Sequence, residues 1–167
     1  MSEIQRGTHR PRGEGESVWL GGDLIEVKLA SEATGGAYSM VEVTIPPQGG
    51  PPPHIHPTVD EALYVVEGEV EVLLGDGTTR ASAGSLAFVP KGTVHAFKNV
   101  GTSPSRVVVI ISPGGFEKFF LEAGSPAIQG STPPEGEPDV RRIMEIGRKY
   151  GFETRPLPGS NTFSEKA

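Results

Sequence analysis

The sequence predicts an all-β domain, a sandwich or a barrel, with a short helical segment behind it. Three observations lead there. Eight short β-prone runs follow one another from Val18 to Ile111, with no helical pattern of useful length between them. Gly and Pro, 23 and 16 of the 167 residues, stand at about twice their average combined usage and fall between the runs as turn signals. After Pro113 the apolar spacing changes from alternation to i, i+3, i+4.

Taken in order, residues 1–17 lack apolar periodicity and are expected to form a flexible arm. The barrel is expected over 18–112, built from VWL, DLIEVKL, YSMVEVTI, ALYVV, EVEVLL, SLAFV, VHAF and RVVVII. Turns are expected at Gly35-Gly36, Pro46-Pro47, Glu67-Gly68, Gly75-Asp76-Gly77 and Pro90-Lys91-Gly92. A helical segment follows over 113–153. Its first helix carries Phe116, Phe119, Phe120 and Ala123 on one face and ends at Gly124. Its second has Pro138 in the first turn, a stripe of Val140, Ile143, Met144 and Tyr150, and Gly151 at its end. Residues 154–167 read as an irregular tail.

Composition narrows the function classes. The absence of Cys removes disulfides, thiolate metal sites and Cys nucleophiles. A net charge of −6 with scattered basic residues argues against duplex nucleic acid as a partner. No apolar run approaches a membrane span, and the polar N-terminus does not read as a signal peptide, so a cytoplasmic protein is expected.

Three of the four His fall inside the strand region. His54 and His56, two apart, project to one face of an extended backbone. Glu61 follows after four residues, and His95 lies in a later run. Brought together, three imidazoles and a carboxylate suit a divalent transition metal such as Ni, Mn, Fe, Co, Cu or Zn. Each residue alone reads as an ordinary strand or surface group. If Glu61 faces inward, Leu63 and Val65 share its side and Phe97 shares that of His95, giving a candidate apolar wall for a substrate pocket.

The glycines and prolines around these residues make the pattern specific. GGPPPHIHPTVDEALYVVEG (49–68) and GSLAFVPKGTVHAFKN (84–99) resemble the two motifs of the cupin superfamily. The second fits at every defined position. In the first, the leading Gly is one or two residues closer to His54 than usual. The stretch SPGGFEKFF and the later KYGFE are similar to single-domain cupins of the quercetin 2,3-dioxygenase kind. Gly68 and Gly92 are read as sitting at positive φ in tight hairpin connections.

The resemblance implies a double-stranded β-helix, a jelly-roll barrel with C-terminal helices, and one divalent metal held by His54, His56, Glu61 and His95. It further implies a metal-dependent dioxygenase acting on an aromatic or hydroxylated small molecule with O2, with Glu61 as catalytic base. A cupin isomerase, decarboxylase or polyketide cyclase, and a non-catalytic binder, are the alternatives, since a fold does not fix a reaction. Related cupins commonly pair through sheet edges, so a homodimer is expected. The first helix is expected to pack on the barrel, and on a sharper reading to cap its mouth.

Overall fold

The structure, a computed structural model, describes residues 7–128 and 130–155. All eight β-prone runs are strands. In chain order they are β1 (Glu16–Leu20), β2 (Asp23–Leu29), β3 (Ser39–Ile45), β5 (Asp60–Glu67), β6 (Glu69–Leu74), β8 (Leu86–Val89), β9 (His95–Asn99) and β10 (Ser105–Ser112). Four further strands join them: β4 (His54–Ile55), β7 (Gly77–Ser82), β11 (Ser125–Pro126) and β12 (Glu153–Thr154). The helices are α1 (Glu117–Ala123) and α2 (Val140–Lys149), with a 3-10 turn at Ser31–Thr34.

Two antiparallel sheets face each other across one core. The larger runs β11-β1-β2-β3-β10-β5-β8 and the smaller β12-β4-β9-β6-β7. Strict alternation sets the inner face. Val41, Val43 and Ile45 of β3, Val107, Val109 and Ile111 of β10, and Leu63 and Val65 of β5 are buried, with Val70, Val72 and Phe97 opposite them.

Gly68 and Gly92 do have positive φ, at 80° and 78°, but neither sits in a hairpin. β5 pairs with β10 and β8, while β6 pairs with β7 and β9, so Gly68 carries the chain from one sheet to the other. Gly92 does the same between β8 and β9. Without a Cβ the chain can turn sharply there; at Gly68 a Cβ would lie 2.4 Å from the Ser105 hydroxyl. Gly75 and Asp76 do close a two-residue hairpin, between β6 and β7.

The C-terminal segment is tied into both sheets. β11 pairs with β1 at one edge and β12 with β4 at another. Gly124 follows α1 in extended conformation, its N–H donating to the Phe120 carbonyl. Asp139, not Pro138, begins α2: its carboxylate accepts the Arg142 N–H, leaving Pro138 just outside the helix. Arg142 in turn donates to the Glu122 and Ala123 carbonyls at the end of α1. Phe116, Phe119, Ala123 and Phe152 belong to the same core as the strands. At the other end, β1 already includes Glu16 and Ser17, and Arg10 donates to the Lys28 and Glu14 carbonyls. Residues 1–6 of the expected arm and 156–167 of the expected tail lie outside the described residues. Among the described residues no helix is long and apolar enough to cross a membrane.

Candidate metal centre

The sheet register brings the histidines together. His54 of β4 pairs directly with His95 of β9, and His56 lies two residues beyond His54. All three are buried, and ring nitrogens of the three lie within 4.8 Å of one another. Glu61 enters from the other sheet, at the start of β5. Its Oε1 is 3.2 Å from His56 Nε2 and its Oε2 3.2 Å from His95 Nε2. The three histidines therefore cluster between the sheets, with Glu61 against two of them.

Backbone carbonyls orient two of the rings. His54 Nδ1 lies 2.7 Å from the Pro52 carbonyl and His95 Nδ1 3.0 Å from that of Thr93. A carbonyl can only accept, so Nδ1 carries the proton in each and Nε2 is left for the shared centre. His56 Nδ1 is buried with no hydrogen-bond partner, although the Gly151 carbonyl faces it.

Burial pushes the His54 imidazole well below the usual His range, and the neighbouring His95 and His56 add to the effect. Burial also lowers His56, against the opposing pull of Glu61. Neutral rings offer lone pairs, and these converge on the volume that the Glu61 carboxylate faces. Such a set of electron-pair donors fits a divalent cation of borderline softness.

The surrounding wall is aromatic and comes from the C-terminal segment. Phe152 stacks on His54 with ring centroids 4.7 Å apart, and Phe116 meets the His56 ring edge-on at 4.3 Å. Phe119 stacks in turn on Phe152. The sequence reading gave Phe116 and Phe119 a packing role and overlooked Phe152. Its signal was Gly151, whose φ of 78° turns the chain out of α2 and back to β4.

A cavity of about 920 Å³ opens from this cluster, with Phe97 in its wall. Leu63 and Val65 do face inward with Glu61, but they are packed within the core and are not part of the lining. The lining also includes Asp23, which the sequence reading passed over. Burial pushes its carboxyl up to about 7, despite the Gly50 N–H beside it. The signal was a carboxylate in phase with Ile25 and Val27 on the apolar face of β2.

Residues 41–111 match the family model of the cupin domain, and they span the two motifs and all four clustered residues. Over these residues the chain is a cupin domain. Its two antiparallel sheets are the double-stranded β-helix of that family. The cupin is 27% identical over 114 residues to quercetin 2,3-dioxygenase of Bacillus subtilis (strain 168), covering 68% of this chain and 34% of that protein. It is 31% identical over 116 residues to oxalate oxidase GF-3.8 of Triticum aestivum, covering 65% and 50%. The chain thus spans between a third and a half of these curated relatives. Among solved structures, the polyketide cyclase RemF of Streptomyces resistomycificus superposes with a TM-score of 0.57 at 21% identity, over 64% of this chain and 80% of that one. That likeness is one of fold. Cupin relatives thus include enzymes of several kinds.

Proposed function

We propose that this cupin is a metal-dependent dioxygenase of the quercetinase kind, acting on an aromatic, hydroxylated small molecule with O2. The observation that carries the reading is the convergence of three buried imidazoles and one carboxylate beside a 920 Å³ cavity flanked by phenyl rings. His54, His56, Glu61 and His95 hold the metal, one of Ni, Mn, Fe, Co, Cu or Zn. When bound, the metal supplies electrophilic polarisation of a substrate oxygen. The protein does the rest. Phe116 and Phe152, packed against the histidine rings, exclude water from the cluster. Glu61 takes the proton of the substrate hydroxyl, because its two oxygens stand 3.2 Å from the Nε2 atoms of His56 and His95. The resemblance to quercetin 2,3-dioxygenase supports the choice of O2 chemistry.

The test is metal analysis of the purified protein followed by oxygen-electrode assays on a flavonol panel. One O2 consumed per flavonol supports the reading. Turnover of a substrate that proceeds equally under argon identifies an isomerase, decarboxylase or cyclase instead. Stoichiometric uptake without turnover identifies a binder.

We further propose that the protein pairs with a second copy through the edge strand β8. Leu86 and Phe88 are 64% and 56% exposed there, and Tyr64 and Ile110 extend the apolar strip across β5 and β10. Sedimentation of a Phe88→Glu variant as a monomer, against a dimeric wild type, is the expected result.

A further inference from the structure

The cavity holds a second buried polar group, and nothing in the metal-centre reading uses it. Asp23 opens β2 in phase with Ile25 and Val27, and it is 7% exposed. It lines the same cavity as His54, His56 and Glu61, at another place along the strands. Leu24 pairs with Thr44 and Thr44 with Arg106, while Glu61 pairs with Ile111. Asp23, one residue before Leu24, falls level with Ser105, so six residues of β10 separate the two rows, about 20 Å of strand at ~3.3 Å per residue. Ile25, Val41, Val43, Phe97 and Val109 line the cavity as well and make its wall largely apolar.

Asp23 lacks what a buried carboxyl normally has. An Asp after a Gly-Gly pair ordinarily bonds local backbone. Here Oδ1 is buried with no hydrogen-bond partner. It is held close to the backbone of Gly49, where a Cβ would lie 2.9 Å from it. The Gly50 N–H faces the carboxyl from the same loop. Buried polar atoms without partners are rare in folded proteins, and this one belongs to a side chain in the wall of a cavity. With its pKa raised to about 7, the carboxyl is substantially protonated near neutral pH and can donate as well as accept.

We propose that Asp23 is the far anchor of the substrate: it binds a hydroxyl carried at one end of an elongated, otherwise apolar molecule whose other end meets the histidine cluster. The second half of this statement rests on the proposed function. The Asp23 subsite itself rests on the cavity and the unpartnered oxygen.

Two probes that differ by one hydroxyl, 4-propylphenol and propylbenzene, test it by isothermal titration calorimetry on the full chain as purified. The expected result is a preference for the phenol that Asp23→Leu cuts by about tenfold and Asp23→Asn largely keeps, since the amide still offers a hydrogen bond. Asp23→Ala gives the same comparison should the larger Leu not be accommodated. An unchanged preference in Asp23→Leu and Asp23→Ala overturns the proposal. So does a wild type that binds neither probe or shows no preference. Neither O2 nor turnover is read, so failure of the dioxygenase reading leaves this result standing. Failure here likewise leaves flavonol oxidation untouched.

Discussion

The histidine cluster and the Asp23 pocket share one cavity and are both buried, yet burial moves their titratable groups in opposite directions. In the cluster, Pro52 and Thr93 carbonyls hold two rings and Glu61 spans two Nε2 atoms. At Asp23 the fold supplies an N–H from Gly50 and leaves Oδ1 alone. Burial favours the neutral form in both places, but neutrality means losing a proton for an imidazole and keeping one for a carboxyl. The lesson is that one apolar interior imposes opposite pH responses at two points of the same cavity.

The largest effect that would sharpen this contrast is loss of the metal. His95→Ala removes one imidazole from the cluster while the strands retain their core, so metal content of the purified protein should fall by about two orders of magnitude or more. Asp23→Asn should leave it unchanged. Full occupancy of the His95→Ala protein by elemental analysis would break the assignment of the cluster.

Next in size is Glu61→Gln, which keeps the shape and one oxygen but removes the basic site. With metal restored to saturation, flavonol turnover should stay depressed by about 10²–10⁴-fold, in kcat more than in KM. Normal kcat in the fully metallated variant would leave Glu61 a ligand alone.

A third measurement reads the Asp23 pocket as stability. A carboxyl raised from 3.8 to about 7 in the folded protein binds more protons folded than unfolded between those values. Stability is therefore lost as pH rises through about 7, by up to about 4 kcal/mol at ~1.36 kcal/mol per pKa unit. Urea unfolding of the chelator-treated protein should show Asp23→Asn more stable than wild type at pH 8, and the two converging near pH 4. A difference independent of pH would show that the Asp23 charge is not what burial opposes.

The smallest effect belongs to the imidazoles and has the opposite sign. His54 and His56 are lowered in the fold, so the unfolded chain takes up protons first as pH drops below about 6.5. Stability of the chelator-treated protein is lost on acidification through that range. The slope is clearest in Asp23→Asn, where the opposing carboxyl is gone. A flat profile from pH 7 to 5 in that background would contradict neutral rings in the cluster.

Much of this was legible in the sequence. Short β-prone runs between Gly and Pro turn signals marked eight of the strands, because branched and aromatic side chains favour extended backbone and Gly and Pro interrupt it. The motif spacing singled out His54, His56 and His95, which cluster, and Glu61, which lies against two of them. What escaped was whatever had no apolar signal of its own. β7, GTTRAS, is an exposed edge strand that exists because β6 pairs with it. β4, β11 and β12 are two-residue pairings that neighbouring strands impose.

The sequence by itself determined the fold class, the helices after Pro113, and which side chains could bind a metal. Those properties are local: periodicity, turn residues and donor chemistry travel with the chain. Only the tertiary structure decided that Gly68 and Gly92 pass the chain between sheets, that Phe152 lies against His54, and that Asp23 is sealed into the cavity wall. Each of these depends on what another part of the chain places opposite. An Asp after Gly21-Gly22 is a turn residue until the Gly49-Gly50 loop closes over it. Its pKa, and the hydroxyl it is proposed to bind, follow from that closure.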